Sequence, residues 1–170
     1  VMIRYPKARC PAEEAAYAEP LVAGRGVFAR RSGADTLLVA LGGLVPLAVE
    51  ASDLLLREGR ATDVYSLRFA APLDEEAFLE AAAPYRRIIL FEEGVAAGGV
   101  GESLAALAAR RLPRLSFAAL GFPSEPYAQG ARAELLEKAG LSAQAMAERV
   151  RLDEEDAGRI YLFRAKDKDE

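Results

Sequence analysis

The apolar positions change period along the chain, and the changes mark out its elements. From Thr36 to Leu41 the sequence TLLVAL is nearly continuous in apolar residues and is closed by Gly42 and Gly43. A run this short, with no polar alternation, predicts a strand buried on both faces at the middle of a sheet. Over residues 44–58, Leu44, Leu47, Ala48, Ala51, Leu54 and Leu55 fall on one stripe while Glu50, Asp53 and Arg57 fall largely elsewhere, which is helical period. Gly59 is placed to cap that helix. Residues 62–69 return to β-rich sequence, so the unit is strand, helix, strand, and a right-handed crossover should leave its strands parallel.

The same logic repeats on either side. Upstream, residues 27–30 predict a short strand separated from the central one by only Ser32, Gly33 and Ala34. That is too few residues for a crossover, so the two strands are expected to be antiparallel neighbours, and the glycines and charges of LVAGRGVFARR suit a sheet edge. Downstream, Asp74 should cap a helix in EEAFLEAA, residues 87–91 and 115–120 should be strands, and residues 101–111 the helix between them. Helices over 131–139, capped by Gly140, and over 142–151, with Ser142 as N-cap, complete the order. The phrase IYLF beyond them is either a strand or an apolar clip, and AKDKDE reads as a disordered end. Five strands with helices between them predict an α/β three-layer α/β/α sandwich on a five-stranded, mostly parallel sheet with one antiparallel edge strand. The expected divisions are a lead-in over 1–20, a domain over 21–152 and a tail over 153–170. The opening phrase VMIRYP reads as a chain entered partway.

Composition narrows the chemistry. The 170 residues suffice for one domain, with 52% hydrophobic and 28% charged residues. No apolar run of roughly 18 residues is present to span a membrane, which leads to the expectation of a soluble, cytoplasmic protein. A net charge of -4 and a pI near 5.1 argue against general nucleic-acid binding. The single cysteine, Cys10, excludes an internal disulfide and a cysteine-rich zinc site. The chain has no histidine, and so lacks the commonest general acid or base and the commonest metal ligand.

Three places could carry chemistry. GGVGE, at 98–102, joins a strand to a helix, where amides and a helix N-terminus hold phosphates. It lacks the third glycine of a dinucleotide fingerprint, and Glu92 and Glu93 stand just upstream, so a tight structural turn is the better reading. Those two glutamates end a strand at the sheet's carboxyl edge, where α/β sheets place ligands. Being adjacent they point to opposite faces, so one is expected to cap a neighbouring helix or make an interface bond instead of forming a catalytic pair. Arg4 and Lys7 could bracket an anion. Spacing alone ends at an α/β domain.

The phrases themselves go further. MIRYPKA, AGRGVFARRSGADTLLVALGGLVPLAVEASDLL, LRFAAPLDEEAF, ILFEEGVAAGGVGESL and LGFPSEPYAQGARAELLEKAGLSAQAM stand here in the order found in the 1-deoxy-D-xylulose 5-phosphate synthase family. The chain resembles the C-terminal third of that family, its transketolase-like C-terminal domain, over about residues 2–150. The resemblance implies an enzyme that joins pyruvate to glyceraldehyde 3-phosphate with loss of carbon dioxide, using thiamine diphosphate and magnesium bound between two preceding domains. It implies no catalytic, cofactor or metal residues in this chain, which would support the homodimer, close one side of the active-site mouth and not catalyse alone. One functional residue is implied: the last basic residue of the family's arginine-tyrosine-proline-arginine phrase contacts the aldehyde's phosphate, and here the phrase is Arg4, Tyr5, Pro6, Lys7. Lys7 keeps the charge without the bidentate fork, and Arg4 lies close by in sequence. Ala8, Ser66, Ala71 and Gln129 also depart from the family's usual residues and mark a divergent member. Two other readings are the matching domain of transketolase or of a 2-oxo acid dehydrogenase β subunit, and a stand-alone non-catalytic binding module.

Overall fold

The computed structural model describes residues 18–126, 129–153 and 161–163. Its strands are β1 (Val27–Arg30), β2 (Thr36–Ala40), β3 (Asp63–Ser66), β4 (Arg87–Val95), β5 (Ser116–Phe122) and β6 (Tyr161–Phe163). Its helices are α1 (Val45–Arg57), α2 (Glu75–Ala82), α3 (Val100–Arg111), α4 (Arg132–Lys138) and α5 (Ala143–Asp153). The sheet runs β1-β3-β2-β4-β5-β6, with β1 antiparallel to β3 and the other pairs parallel. The expected five-stranded mixed sheet is therefore present, with one antiparallel edge strand, and β6 extends it by three residues at the far edge.

Strict alternation along the strands builds the three layers. Leu38, Ala40, Val64, Ile89 and Phe91 pack against the apolar stripes of α1 and α5, including Ala48, Leu55, Met146 and Val150. Their sequence neighbours Leu37, Val39, Tyr65, Ile88 and Leu90 face α2 and α3 through Phe78, Leu79, Leu104 and Ala108. A strand covered on both faces has no polar side to show, which is why β2 is a continuous apolar run. Local signals end the helices as expected. Asp74 Oδ1 accepts from Ala77 N at 3.0 Å, and Ser142 Oγ accepts from Ala145 N at 3.2 Å.

One expected pairing is corrected. β1 does not lie beside β2; it pairs with β3, in the register Val27 to Ser66 and Phe28 to Tyr65. Both edges of β2 are taken by parallel strands, β3 and β4. The five residues between β1 and β2 reach about 16 Å when extended, enough to step over one strand across the roughly 10 Å between alternate strands. Asp63, at the start of β3, fixes that step by accepting from Ser32 N, Ser32 Oγ and Gly33 N at 2.6, 2.7 and 3.1 Å. β4 also runs beyond the expected 87–91, through Glu92 and Glu93 to Val95, with a register shift against β5 between Phe91 and Val95. β3 is shorter than the sequence suggests, because Arg68 takes a left-handed φ of 58° just beyond it.

Candidate functional site at the carboxyl edge of the sheet

The carboxyl ends of β2 and β4 lie side by side, with α1 leaving to one face and α3 to the other. This is the switch point at which open α/β sheets bind ligands. Here it is occupied by the chain's own charges. Glu92 is 6% exposed, and its two carboxylate oxygens accept from Val100 N at 3.1 Å and Gly101 N at 3.0 Å. The carboxylate thus caps the N-terminus of α3, satisfying two donors that no helical carbonyl can reach. Burial pushes the Glu92 carboxyl above its ordinary value, and the two amide bonds oppose that rise. The approach is close enough to require glycine. A Cβ at Gly99 would collide with the carboxylate, and one at Gly101 would lie 2.7 Å from Ala119 Cβ.

Glu93 points the other way, as alternation requires. Its carboxylate receives a bidentate fork from Arg132, Nε at 2.9 Å and Nη2 at 2.5 Å. Arg132 Nη2 also donates to Gly43 O at 3.2 Å, so one guanidinium ties α4 to β4 and to the turn after β2. That ion pair raises the Arg132 pKa further. Gly98 N, the next amide of the turn, donates to Glu102 Oε2 at 2.7 Å. The GGVGE turn is accordingly structural, and of the two glutamates one caps a helix while the other makes an ion pair between elements. Lys7, Arg4 and Cys10 lie outside the described residues.

The opposite edge holds a cleft of about 370 Å³ lined by Tyr85, Arg86, Arg111, Leu112 and Arg114 among others. Arg111 is forked onto Glu76 at 3.0 and 3.1 Å, and the C-termini of α2 and α3 turn their negative ends toward this side. Behind the cleft, Tyr85 Oη donates to Asp63 Oδ2 at 2.7 Å, and burial together with that carboxylate pushes the tyrosine pKa up.

Among the described residues no group of three or more His, Cys, Asp or Glu side chains is arranged to hold a metal ion. The donors that a diphosphate would use at α3 are already bonded to the Glu92 carboxylate. The N-terminus of α3 therefore does not fit a thiamine diphosphate-magnesium group. No described helix is long and apolar enough to cross a membrane. Sequence reasoning missed three residues that organise this chain: Asp63, Arg132 and Arg68. Each bonds partners at least 22 residues away in sequence.

The doubly covered sheet with its antiparallel edge strand agrees with comparison to known proteins. A family model described as "Transketolase, C-terminal domain" matches residues 24–146, and the chain belongs to that family. Curated proteins similar to it include 1-deoxy-D-xylulose-5-phosphate synthase of Treponema pallidum (strain Nichols), 42% identical over 151 residues, which are 88% of this chain and 24% of the relative. The synthase of Heliobacterium modesticaldum is 38% identical over 136 residues, 80% of this chain and 21% of the relative. The chain thus spans about a quarter of the length of these relatives. Among solved structures, a chain described as "Split gene transketolase, inactive beta4 tetramer" superposes with a TM-score of 0.75 at 27% identity, covering 87% of this chain and 48% of that one. Transketolase from Campylobacter jejuni, at TM-score 0.50 and 18% identity over 78% of this chain and 19% of its own, shares the fold.

Proposed function

We propose that this chain is the C-terminal domain of a thiamine diphosphate-dependent synthase that condenses pyruvate with glyceraldehyde 3-phosphate to 1-deoxy-D-xylulose 5-phosphate, releasing carbon dioxide. The observation that carries this reading is the 42% identity to a named synthase across 88% of the chain. In this reading the chain supports a cytoplasmic homodimer, closes one side of the active-site mouth and does not catalyse alone. Thiamine diphosphate and magnesium belong to the preceding domains, which are its first partners. The closed carboxyl edge supports that division, since Glu92 is bonded to two helix amides and Glu93 to Arg132, so that neither of these carboxylates is left open to a substrate. Lys7 holds the aldehyde's phosphate as a point charge, with Arg4 close by in sequence.

The test is a chimera in which this chain replaces the matching quarter of the Heliobacterium modesticaldum synthase. Product formation should stay within about tenfold of the parent, ~1.4 kcal/mol in the barrier, and a truncated enzyme lacking the segment should be inactive. A chimera that assembles at the parent's mass yet makes no product refutes the reading. Within an active chimera, Lys7→Ala should raise KM for the aldehyde far more than KM for pyruvate, and equal effects would remove Lys7 from the site. The likeness to a split-gene transketolase chain favours a second reading, a separately encoded subunit of a thiamine enzyme. The mass of the native polypeptide, read by antibody in a lysate of the source organism, separates the two: a band near 18.2 kDa fits the subunit.

A further inference from the structure

Residues 19–25 cross the carboxyl end of β3 on their way into β1, and two anchors hold them there. Asp74, the N-cap of α2, gives its backbone N–H to Gly24 O at 3.1 Å, and its carboxylate accepts from Arg25 Nε at 3.0 Å. Gly24 has a φ of 80°, and a Cβ there would lie 2.7 Å from Asp74 N, so this backbone contact depends on glycine. The second anchor is Arg68, whose Nη1 donates to Pro20 O and Nη2 to Glu19 O, both at 3.4 Å. Among the described residues Arg68 alone combines a side chain with a positive φ, 58°. Crowding of Cβ against the backbone disfavours that conformation for any residue but glycine, and such outliers persist where their surroundings over-determine them. At this position the left-handed turn delivers a guanidinium to two carbonyls of the incoming chain.

We propose that Arg68 is an interdomain positioning residue: together with Asp74 it fastens residues 19–25 to the sheet's carboxyl edge and so sets where the preceding domain sits. This rests on the reading that other domains precede this one. Two observations support it. The family is a C-terminal domain and the chain spans about a quarter of its relatives, so whatever precedes it connects through this segment. Between the anchors, Leu21 and Val22 are 74% and 51% exposed, an apolar pair held at a fixed place and facing outward, suited to an apolar patch on the preceding domain. The bonds from Arg68 to Glu19 O and Pro20 O go to backbone carbonyls, so they do not depend on which side chains occupy positions 19 and 20.

The experiment pairs thermal unfolding with the rate of tryptic cleavage after Arg25, followed by mass spectrometry, on the 170-residue chain. Arg68→Gly removes the guanidinium and also the Cβ crowding. Its Tm should be unchanged or higher by up to about 4 °C, while cleavage after Arg25 accelerates about fivefold, equivalent to ~1 kcal/mol. Arg68→Lys, which restores a donor, should recover part of the protection. Cleavage at the wild-type rate overturns the proposal. So does a lower Tm with cleavage accelerated equally at every site, which would make Arg68 an ordinary structural residue. In the intact polypeptide, hydrogen exchange in Arg68→Gly should rise over 19–25 and on the preceding domain together, and a rise confined to 19–25 overturns the interdomain part. None of these readouts uses activity, so an intact polypeptide that fails to make the sugar phosphate refutes the proposed reaction and leaves the anchoring test standing.

Discussion

Replacing Asp63 with asparagine isolates the energy that places β1 outside β3. Asp63 is fully buried, and its carboxylate accepts four hydrogen bonds: Oδ1 from Ser32 N and Ser32 Oγ, Oδ2 from Gly33 N and Tyr85 Oη. Asparagine keeps the shape but sets an NH2 against two of those donors. The tyrosine hydroxyl can rotate and accept, whereas a backbone N–H cannot, so at least one bond is lost and the others lose their charge assistance. With hydrogen bonds to charged groups contributing about 1.5–3 kcal/mol each, the net loss should be ~2–4 kcal/mol, or a fall in Tm of about 5–15 °C for a chain this size. Urea unfolding followed by far-UV circular dichroism measures it. Burial alone would raise the Asp63 pKa, but the bonds from Tyr85, Ser32 and Gly33 outweigh burial and hold it below its ordinary value. A depressed carboxyl contributes stability that is complete above its unfolded pKa and is lost as pH falls through the lower folded one. The deficit of Asp63→Asn should therefore be constant from about pH 7 to about pH 5 and shrink below about pH 4. A deficit under ~1 kcal/mol, or one that persists unchanged to about pH 2, refutes the reasoning.

Two further predictions concern the carboxyl edge. Glu92→Ala should cost ~2–4 kcal/mol by leaving two helix amides unpaired in a buried cavity, and inorganic phosphate should raise the Tm of that variant more than that of the wild type, because it vacates an anion site. Because burial raises the Glu92 pKa, the folded chain takes up this proton before the unfolded chain does, and the group's contribution to stability declines as pH rises from its unfolded to its folded value. Glu92→Gln should lack that decline in a pH series of urea midpoints. A double-mutant cycle on Glu93 and Arg132 should return a coupling of ~1 kcal/mol that weakens with salt, and a coupling indistinguishable from zero would remove the tie between α4 and β4.

The sequence revealed what depends on neighbours along the chain. β2 and the core of β4 were legible because burial on both faces leaves an unbroken apolar run, and Asp74 and Ser142 because a cap and its amide lie three residues apart. Alternation separated Glu92 from Glu93, whereas GGVGE read only as a tight turn, and the close approach of the Glu92 carboxylate to Gly99 and Gly101 was not legible. The seat of β1 was not legible, since a short connection favours adjacent pairing unless another strand has claimed the edge, and that claim is made by residues 63–66. Arg132 gave no signal because its partners, Glu93 and Gly43, come from two distant elements. Arg68 gave none because left-handed positions are announced by glycine, and arginine there looks like any surface charge.

The closure of the switch point bears directly on where chemistry can occur. An anion arriving at α3 would have to displace a carboxylate bonded at both oxygens. A catalytic base is equally disfavoured, because Glu92 is buried and engaged, and both oxygens of Glu93 are taken by the Arg132 guanidinium. What the edge does offer is rigidity: one carboxylate fixes the start of α3, one arginine fixes α4 against β4 and the turn after β2, and another holds the incoming chain. Rigid, self-satisfied surfaces suit a domain that shapes a neighbouring active site and holds subunits together, while groups that must exchange protons need partners left free to change. In the proposed synthase those groups belong to the preceding domains, and Lys7, outside the described residues, is the residue proposed to meet the substrate's phosphate.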